Sequence, residues 1–379
     1  MSDQERAAHV RAWFEGEPAG PFTIQLNPTM ACNLNCLFCR RQNQLEAFYR
    51  DHRELPDQKY MEIVEEAVAL GVKAINIKGG GEPLIRRALM RELVPLIRRN
   101  KVHGSLITNG TLLDEPLAEL MVRWEWNELS VSLDSPEAAT HDYLRDKPGT
   151  FDRLMAGQRW INEFKRRHKA ALPHVKWHSV LTNRNHRRVA DMLRLAAENG
   201  AAEVEFDSLD LSEPSSAVLK LDEGDVREFQ EGLPPVLALA ERLGIRHNLQ
   251  NFDRRDYAVR GGANGVKTGD KTSPAPGGSP YERIPCFFPW FHCDITPDGS
   301  LVPCCYGEGY ESRENLHRMS FREAWRGRGM KEYRDSMRDG TMKPFCRNCT
   351  ACYRDQNDRI REALRCGPAG DAPRREKVF

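Results

Sequence analysis

Six short β-prone runs, each followed by a stretch with helical apolar spacing, succeed one another between residues 23 and 243. The runs are Thr23–Leu26, Ala74–Ile77, Gly104–Thr108, Glu128–Leu133, Val175–Leu181 and Glu203–Phe206. The helical stretches are Lys59–Leu70, Leu89–Arg99, Glu115–Trp124, Phe151–Arg167, Arg188–Glu198 and Asp225–Leu243. Alternation of this kind leads to a parallel sheet, because parallel neighbours need a crossover long enough for a helix. A closed eight-unit barrel takes roughly 250 residues. Six units fit an open one, so the fold class expected is α/β, a partial (β/α)6 barrel. In such folds chemistry collects at the C-terminal ends of the strands, on the loops that lead into the helices.

The first of those loops reads Cys32-Asn33-Leu34-Asn35-Cys36-Leu37-Phe38-Cys39. Of eleven cysteines, three lie here, eight lie beyond residue 285, and none falls between Cys39 and Cys286. An odd, clustered set fits metal ligation in a reducing compartment better than a disulfide framework. Two metal-bearing regions joined by a cysteine-free scaffold follow from that spacing. Three thiolates at C-x3-C-x2-C do not complete the four-thiolate shell of a cubane iron–sulfur cluster, and leave one iron without a protein ligand. An open iron can bind a small molecule through an amine and a carboxylate. For the triad alone, a zinc knuckle or a set of structural thiols is the competing reading.

Bulk properties narrow the class. Lys+Arg 56 against Asp+Glu 55 leaves a net charge of +1, so no global field favours nucleic acid. No apolar run approaches a membrane span, and the N-terminal MSDQERAAHVRAW is polar rather than signal-like, which reads as cytoplasmic. The segment Arg254 to Pro280, rich in Gly, Pro, Ser and Asp, reads as a linker or crossing loop. The expected divisions are an extension over 1–20, the barrel over 21–250, the linker over 251–285, a C-terminal domain over 286–366 and a tail over 367–379.

Gly79-Gly80-Gly81-Glu82-Pro83 follows the second strand. Glycines let backbone approach a ligand closely, and a carboxylate there is placed to hold a ligand ammonium. The cysteine loop, with Phe38 just before its third cysteine, together with this turn resembles the signature of the radical SAM enzymes. That resemblance implies a [4Fe-4S] cluster on Cys32, Cys36 and Cys39, with S-adenosylmethionine (SAM) on the open iron. It implies that Gly80, Gly81 and Glu82 contact the methionine amino group. Asn109, in Thr108-Asn109-Gly110 at the third strand's end, joins the same site or serves as a turn former. Ser132 and Asp134, at the fourth strand's end, correspond to residues that reach the SAM ribose or carboxylate in relatives. Arg145 resembles an arginine that often reaches the SAM carboxylate, a solvated surface arginine being the alternative. On the fifth and sixth strands, His178 and the pair Glu205 and Asp207 can face the barrel interior, because side chains alternate.

The C-terminal cysteines carry a second pattern. Cys286 and Cys304 stand in C-x12-G-x4-C, with a β-hairpin read over Asp294 to Pro303 around the Asp298-Gly299 turn. A helical insert over Phe321 to Arg338 precedes Cys346-x2-Cys349-x2-Cys352. This resembles the SPASM/twitch auxiliary-cluster domain of many radical SAM enzymes, in its short, single-cluster form. The ligands expected of an auxiliary [4Fe-4S] cluster are Cys286, Cys304, Cys346 and Cys349, which complete a four-thiolate shell. Cys293, Cys305, Cys352 and Cys366 are then spare or replace a neighbour, or complete a second auxiliary cluster. A zinc ribbon on the same four cysteines is the competing reading.

The resemblance implies an enzyme in which SAM supplies a 5′-deoxyadenosyl radical that removes hydrogen from an unactivated carbon. A substrate radical must then lose or gain an electron, and an oxidised auxiliary cluster is an acceptor. The short-form spacing resembles aminocyclitol dehydrogenases, so the expected reaction is oxidation of an alcohol to a ketone on a small polar substrate. The alternatives are a ribosomal-peptide maturase forming crosslinks, or a radical epimerase. Many maturases carry a leader-binding module ahead of the core; the cysteine loop here begins at residue 32, though leader binding can come from a separate protein. A non-catalytic metal-binding protein is the reading outside enzymes. The partners expected are a small-molecule substrate and a one-electron donor such as flavodoxin or ferredoxin, with neither nucleic acid nor membrane.

Overall fold

The computed structural model describes residues 2–17, 19–39, 41, 45–211, 214–252, 284–304, 314–341, 346 and 354–365. In chain order the elements are α1 (Asp3–Phe14), β1 (Thr23–Leu26), α2 (Leu45–Asp51), α3 (Asp57–Ala69), β2 (Ala74–Ile77), α4 (Arg87–Arg99), β3 (His103–Thr108) and α5 (Glu115–Arg123). Then come β4 (Glu128–Ser132), α6 (Ala138–Arg145), α7 (Thr150–His168), β5 (His174–Leu181), α8 (Val189–Glu198), β6 (Glu203–Ser208), α9 (Glu223–Leu243) and β7 (Arg246–His247). The chain continues with α10 (Phe288–Phe291), β8 (His292–Ile295), β9 (Leu301–Val302), α11 (Phe321–Arg326), α12 (Arg328–Arg338) and α13 (Arg354–Arg365). The described residues fall into two compact units, one within 26–64 and 74–264, the other within 1–25, 65–73 and 265–379.

The first unit is the α/β part. Its strands run β7-β6-β5-β4-β3-β2, and every neighbouring pair is parallel. Each strand lies beside its predecessor and the row does not close, which is the partial barrel expected from the alternation. In β5, Val175, Trp177 and Leu181 are buried on one face, while Lys176, His178 and Val180 point the other way and are half-buried. The helices cover the first of these faces. α4, for example, buries Leu89, Met90, Leu93, Val94, Leu96 and Ile97. At about 1.5–3 kcal/mol per buried side chain, that stripe outweighs the cost of Pro95 inside the helix. Asp114, at the N-cap of α5, and the Asp222–Asp225 capping box of α9 fix where those helices start.

The second unit contains the expected hairpin. β8 and β9 pair antiparallel, Asp294 opposite Val302 and Ile295 opposite Leu301, and Gly299 adopts φ +82° in the turn. The expected helical insert is two helices broken at Gly327. A Cβ there would come within 2.6 Å of the Glu314 carboxylate. α1 belongs to this unit and includes part of the segment set apart above as an extension. Its Ser2–Glu5 capping box is the sequence signal for it. Ala7 and Val10 join Phe287, Trp290, Tyr333, Met337, Ile360 and Leu364 in one buried core. The buried Arg334 is stacked between Trp13 and Trp325, 4.3 Å from each ring centroid, and bonds to the Pro289 and Trp325 carbonyls. Among the described residues, no helix is long and apolar enough to cross a membrane.

Candidate functional site

The cysteine loop leaves β1 at Leu26, whose carbonyl accepts from Lys78 N–H at 3.0 Å. Three side chains then hold it. The Glu54 carboxylate accepts from Thr29 Oγ1, Met30 N–H and Tyr49 O–H, each at 2.8 Å. The buried Arg41 donates to the carbonyls of Met30 (3.3 Å) and Leu34 (3.1 Å). Lys147 Nζ donates to the Asn33 carbonyl at 3.1 Å, and Leu37 N–H to the Leu144 carbonyl at 3.0 Å. Cys39 N–H turns back onto the Cys36 carbonyl at 3.1 Å. The loop is thus pinned through its backbone, which leaves the cysteine side chains for other work.

The glycine turn after β2 packs directly on that loop. Gly81 N–H donates to the Thr29 carbonyl and Glu82 N–H to the Ala31 carbonyl, at 2.9 and 2.8 Å. A Cβ on Gly81 would sit 2.0 Å from the Ala31 carbonyl oxygen, and one on Gly80 would sit 2.4 Å from Met30 Sδ. Close approach is therefore required here by the protein's own backbone. Glu82 is 2% exposed, and its carboxylate accepts from Leu84 N–H (2.9 Å), Thr108 Oγ1 (2.6 Å) and Asn109 N–H (2.7 Å). Burial pushes its pKa up, against the lowering effect of those three donors. Sequence reasoning offered this carboxylate to a ligand ammonium; the geometry makes it first a clamp between the ends of β2 and β3.

Asn109 reaches the same place from β3. Its Oδ1 accepts from Thr111 N–H (3.0 Å) and Thr111 Oγ1 (2.7 Å), and its Nδ2 donates to Asn33 Oδ1 (3.0 Å). Nδ2 also lies 4.0 Å from Cys32 Sγ. Burial pushes the Cys32 thiol up to about 11; the Leu34 N–H opposes this and the Glu82 charge adds to it. Without a cation, this thiol holds its proton, so metal binding must release it.

On the other side of the loop stands a buried charge pair. Arg145 Nη2 is 2.6 Å from Asp134 Oδ2, with the side chains 8% and 0% exposed. Arg145 Nη1 donates to Cys36 Sγ at 3.6 Å, and the guanidinium lies 5.4 Å from the Phe38 ring centroid. Burial pushes the Cys36 thiol up, while the Arg145 charge opposes it. Asp134 Oδ1 accepts from Val180 N–H at 3.1 Å, and Asp134 N–H donates to His141 Nδ1 at 3.2 Å. Burial drives the His141 pKa down to about 4, so near neutral pH its ring is uncharged and can accept that bond. Asp134 and Arg145 were both expected to reach SAM. In this structure their charged ends meet each other behind Cys36. The α6 helix that carries Arg145 was not anticipated.

Ser132 does not join these groups. It lies in register with His178 on β5, which in turn lies beside Glu205 on β6. This row faces away from the helices, since Trp177 and Phe206 fill the opposite face. His178 Nε2 bonds Asp207 Oδ2 at 2.8 Å. Burial lowers the His178 pKa, but the Asp207 bond and charge outweigh it and the net shift is upward. That bond also lowers the pKa of Asp207. Lys176 is ringed by Glu128, Glu203 and Glu205 at 3.6, 3.5 and 3.2 Å. Val180, next on the same face as His178, packs against the same small core of Leu144, Leu209 and Leu219 as Phe38 of the cysteine loop.

In the second unit, Cys286, Cys304 and Cys346 pack against the same apolar core. The Tyr333 hydroxyl lies 2.9 Å from Cys346 Sγ. Burial pushes the Tyr333 pKa far up, and the neighbouring charges of Cys346, Cys304 and Cys286 push it further. Sequence reasoning missed Tyr333, which looks like any aromatic on the buried face of a helix. Cys349, the expected fourth ligand, lies outside the described residues, as do Cys305, Cys352 and Cys366. Cys293 is wholly buried on β8, and burial raises its thiol well above the usual range.

The chemistry of the donors bears on what the cysteines hold. Cys32, Cys36 and Cys39 on one loop, and Cys286, Cys304 and Cys346 against one apolar core, offer the soft thiolate donors that an iron–sulfur cluster takes. Among the described residues, only His186, Asp225 and Glu228 bring three ligand atoms within 4.8 Å of one another. Arg187 already bonds both carboxylates of the His186 group, so a cation occupies that place.

Comparison with known proteins places the chain among relatives. Residues 26–200 match the family described as the Radical SAM superfamily, and residues 286–350 match an iron–sulfur cluster-binding domain named SPASM. The PqqA peptide cyclase of Gluconobacter oxydans is 31% identical over 292 residues, covering 76% of this chain and 71% of that one. The AdoMet-dependent heme synthase of Methanosarcina barkeri is 32% identical over 181 residues, 48% of each chain. Among solved structures, Streptococcus suis SuiB has a similar fold, with a TM-score of 0.63 over 93% of this chain and 75% of that one, at 16% identity.

Proposed function

We propose a peptide as the substrate of this chain, which belongs to the radical SAM superfamily and carries a SPASM iron–sulfur domain. It is a radical SAM enzyme, and its cofactors are a SAM-binding [4Fe-4S] cluster, SAM and auxiliary iron–sulfur. The observation that carries the peptide reading is the likeness to the PqqA peptide cyclase, which runs through 71% of that protein. The heme synthase matches less than half of either chain, which weighs less. Oxidation of a sugar or aminocyclitol, the reaction first expected, rested on the C-terminal cysteine spacing and on the cysteine loop beginning at residue 32. The peptide-maturase alternative now takes its place.

In this reading Cys32, Cys36 and Cys39 hold the cluster, and SAM takes the open iron. Gly80, Gly81, Glu82, Asn109 and Ser132 line the SAM site. Arg145 and Asp134 steady Cys36 and Phe38 from behind. When bound and given one electron, the cofactor pair supplies a radical that takes a hydrogen atom from an unactivated carbon. The residues on the inner face of β4 to β6 then handle the substrate. Asp207 holds the His178 ring through Nε2, and Nδ1 makes no hydrogen bond among the described residues. A carboxylate-held imidazole of this kind can take up the proton that a substrate sheds on oxidation. Cys286, Cys304, Cys346 and Cys349 hold the auxiliary cluster, and a flavodoxin or ferredoxin is the electron donor.

The test uses anaerobically reconstituted holoenzyme, SAM and dithionite. It is offered short peptides encoded beside its gene and, separately, amino sugars. The expected result is 5′-deoxyadenosine formation stimulated by one peptide, with that peptide becoming two mass units lighter. Stimulation by the amino sugars alone would overturn the peptide reading.

A further inference from the structure

We infer that Tyr333 is a positioning residue for the auxiliary cluster, its phenol O–H donating a hydrogen bond to the Cys346 sulfur and raising the cluster's reduction potential. This rests on the reading that Cys286, Cys304 and Cys346 are ligands of that cluster. The contact itself is direct, 2.9 Å between the hydroxyl oxygen and Sγ. Between a phenol and a free thiol either group can donate. Once Cys346 is a metal thiolate it has no proton left to give, and the phenol is the only donor of the pair. A hydrogen bond to a ligating sulfur draws electron density away from the iron, which stabilises the reduced state.

The surroundings fix the hydroxyl and keep water from competing. Tyr333 is 2% exposed and shares its core with Phe287, Ile360 and Leu364. Its neighbour Arg334 locks α12 in rotation. That guanidinium is held between Trp13 and Trp325 and bonds two backbone carbonyls, Pro289 at 2.9 Å and Trp325 at 3.2 Å. Successive helical residues point about 100° apart, so anchoring Arg334 on one side aims Tyr333 at the cysteines. Beside a largely apolar core a fixed O–H dipole acts more strongly on a nearby charge than it does in water. The role required of an auxiliary cluster in a net oxidation is to accept an electron, and a raised potential favours acceptance.

The experiment is an EPR-monitored redox titration of the reconstituted holoenzyme, with SAM added to mark the first cluster's signal. Tyr333→Phe is expected to make the auxiliary cluster about tenfold harder to reduce, a shift of about 59 mV for one electron, while the first cluster stays unchanged. In heavy water the wild type shows an exchangeable deuteron coupled to the auxiliary signal, and Tyr333→Phe loses it. Site-specific 3,5-difluorotyrosine at 333, a stronger donor, is expected to move the potential the opposite way. That variant alone decides the matter if Tyr333→Phe fails to take up iron. An unchanged auxiliary potential in the fluorinated protein, or a coupled deuteron that survives Tyr333→Phe, would overturn the inference. A wild type that binds only the first cluster overturns the ligand assignment instead, and iron analysis distinguishes that outcome.

Discussion

Replacing Asp134 by Asn should destabilise the barrel unit more than any other single isosteric change described for it. The Arg145 guanidinium and Asp134 carboxylate meet at 2.6 Å with essentially no solvent around them. At an effective dielectric constant near 20, their attraction is about 6 kcal/mol, and much of that offsets the cost of dehydrating both ions. Asn at 134 can still accept from Val180 N–H through its oxygen, so the backbone bond survives. What remains is an uncompensated cation facing an amide, a loss of about 3–5 kcal/mol. Removing the cation as well, in Asp134→Asn/Arg145→Met, should bring the protein back to within about 1–2 kcal/mol of the parent. Hydrogen exchange of peptides covering β4 and β5, followed across a urea series, reads the local stability. A single variant within about 1 kcal/mol of the parent, or a double variant as unstable as the single, would refute the reasoning.

Three further outcomes follow from the site. Gly81→Ala forces a methyl group against the Ala31 carbonyl, so it should cost about 1–3 kcal/mol and lower the iron bound per chain; a full complement of iron would contradict the packing role. His141 has its pKa lowered to about 4 in the folded chain against an ordinary 6.5, so between those values the unfolded chain binds more protons and stability falls as pH drops. That slope amounts to ~3 kcal/mol by pH 4, and His141→Gln should flatten it in pH-dependent unfolding. Cys32→Ala should abolish SAM cleavage, whereas Cys304→Ala should leave 5′-deoxyadenosine formation intact and block the oxidised product; product from the second variant would remove the auxiliary cluster from the reaction.

Strands and their order were legible because alternating βα units leave a strong periodic trace. β1 and β2 fall on the residues expected, and β3 to β6 differ only at their ends. β7 is two residues long and leaves no periodic trace. α6 went unseen because its buried residues include His141 and Arg145, which hydropathy reads as surface. The cysteine motifs announced themselves by spacing, since ligand geometry fixes it. The partners of the predicted polar residues did not. Nothing local to Glu82 reveals that Thr108 and Asn109 close over it, and nothing near Asp134 points to an arginine across a loop. Such pairings depend on which strand ends come together, and that information is spread along the whole chain. The same holds for Tyr333, whose role depends on a cysteine brought to its hydroxyl by the fold.

The place of α1 has a consequence for how the protein is made. This helix is synthesised well before the helices it packs on, α10 and α13. At about 5–20 residues per second, the interval is on the order of tens of seconds. Throughout that time Ala7, Val10, Trp13 and Phe14 have no core to enter, while the whole barrel can already assemble. The nascent chain must therefore carry these four apolar side chains uncovered until α10 and α13 are made. A chaperone that recognises exposed aromatic and aliphatic side chains would find its target in α1, and slow translation of the stretch from α10 to α13 would lengthen that exposure.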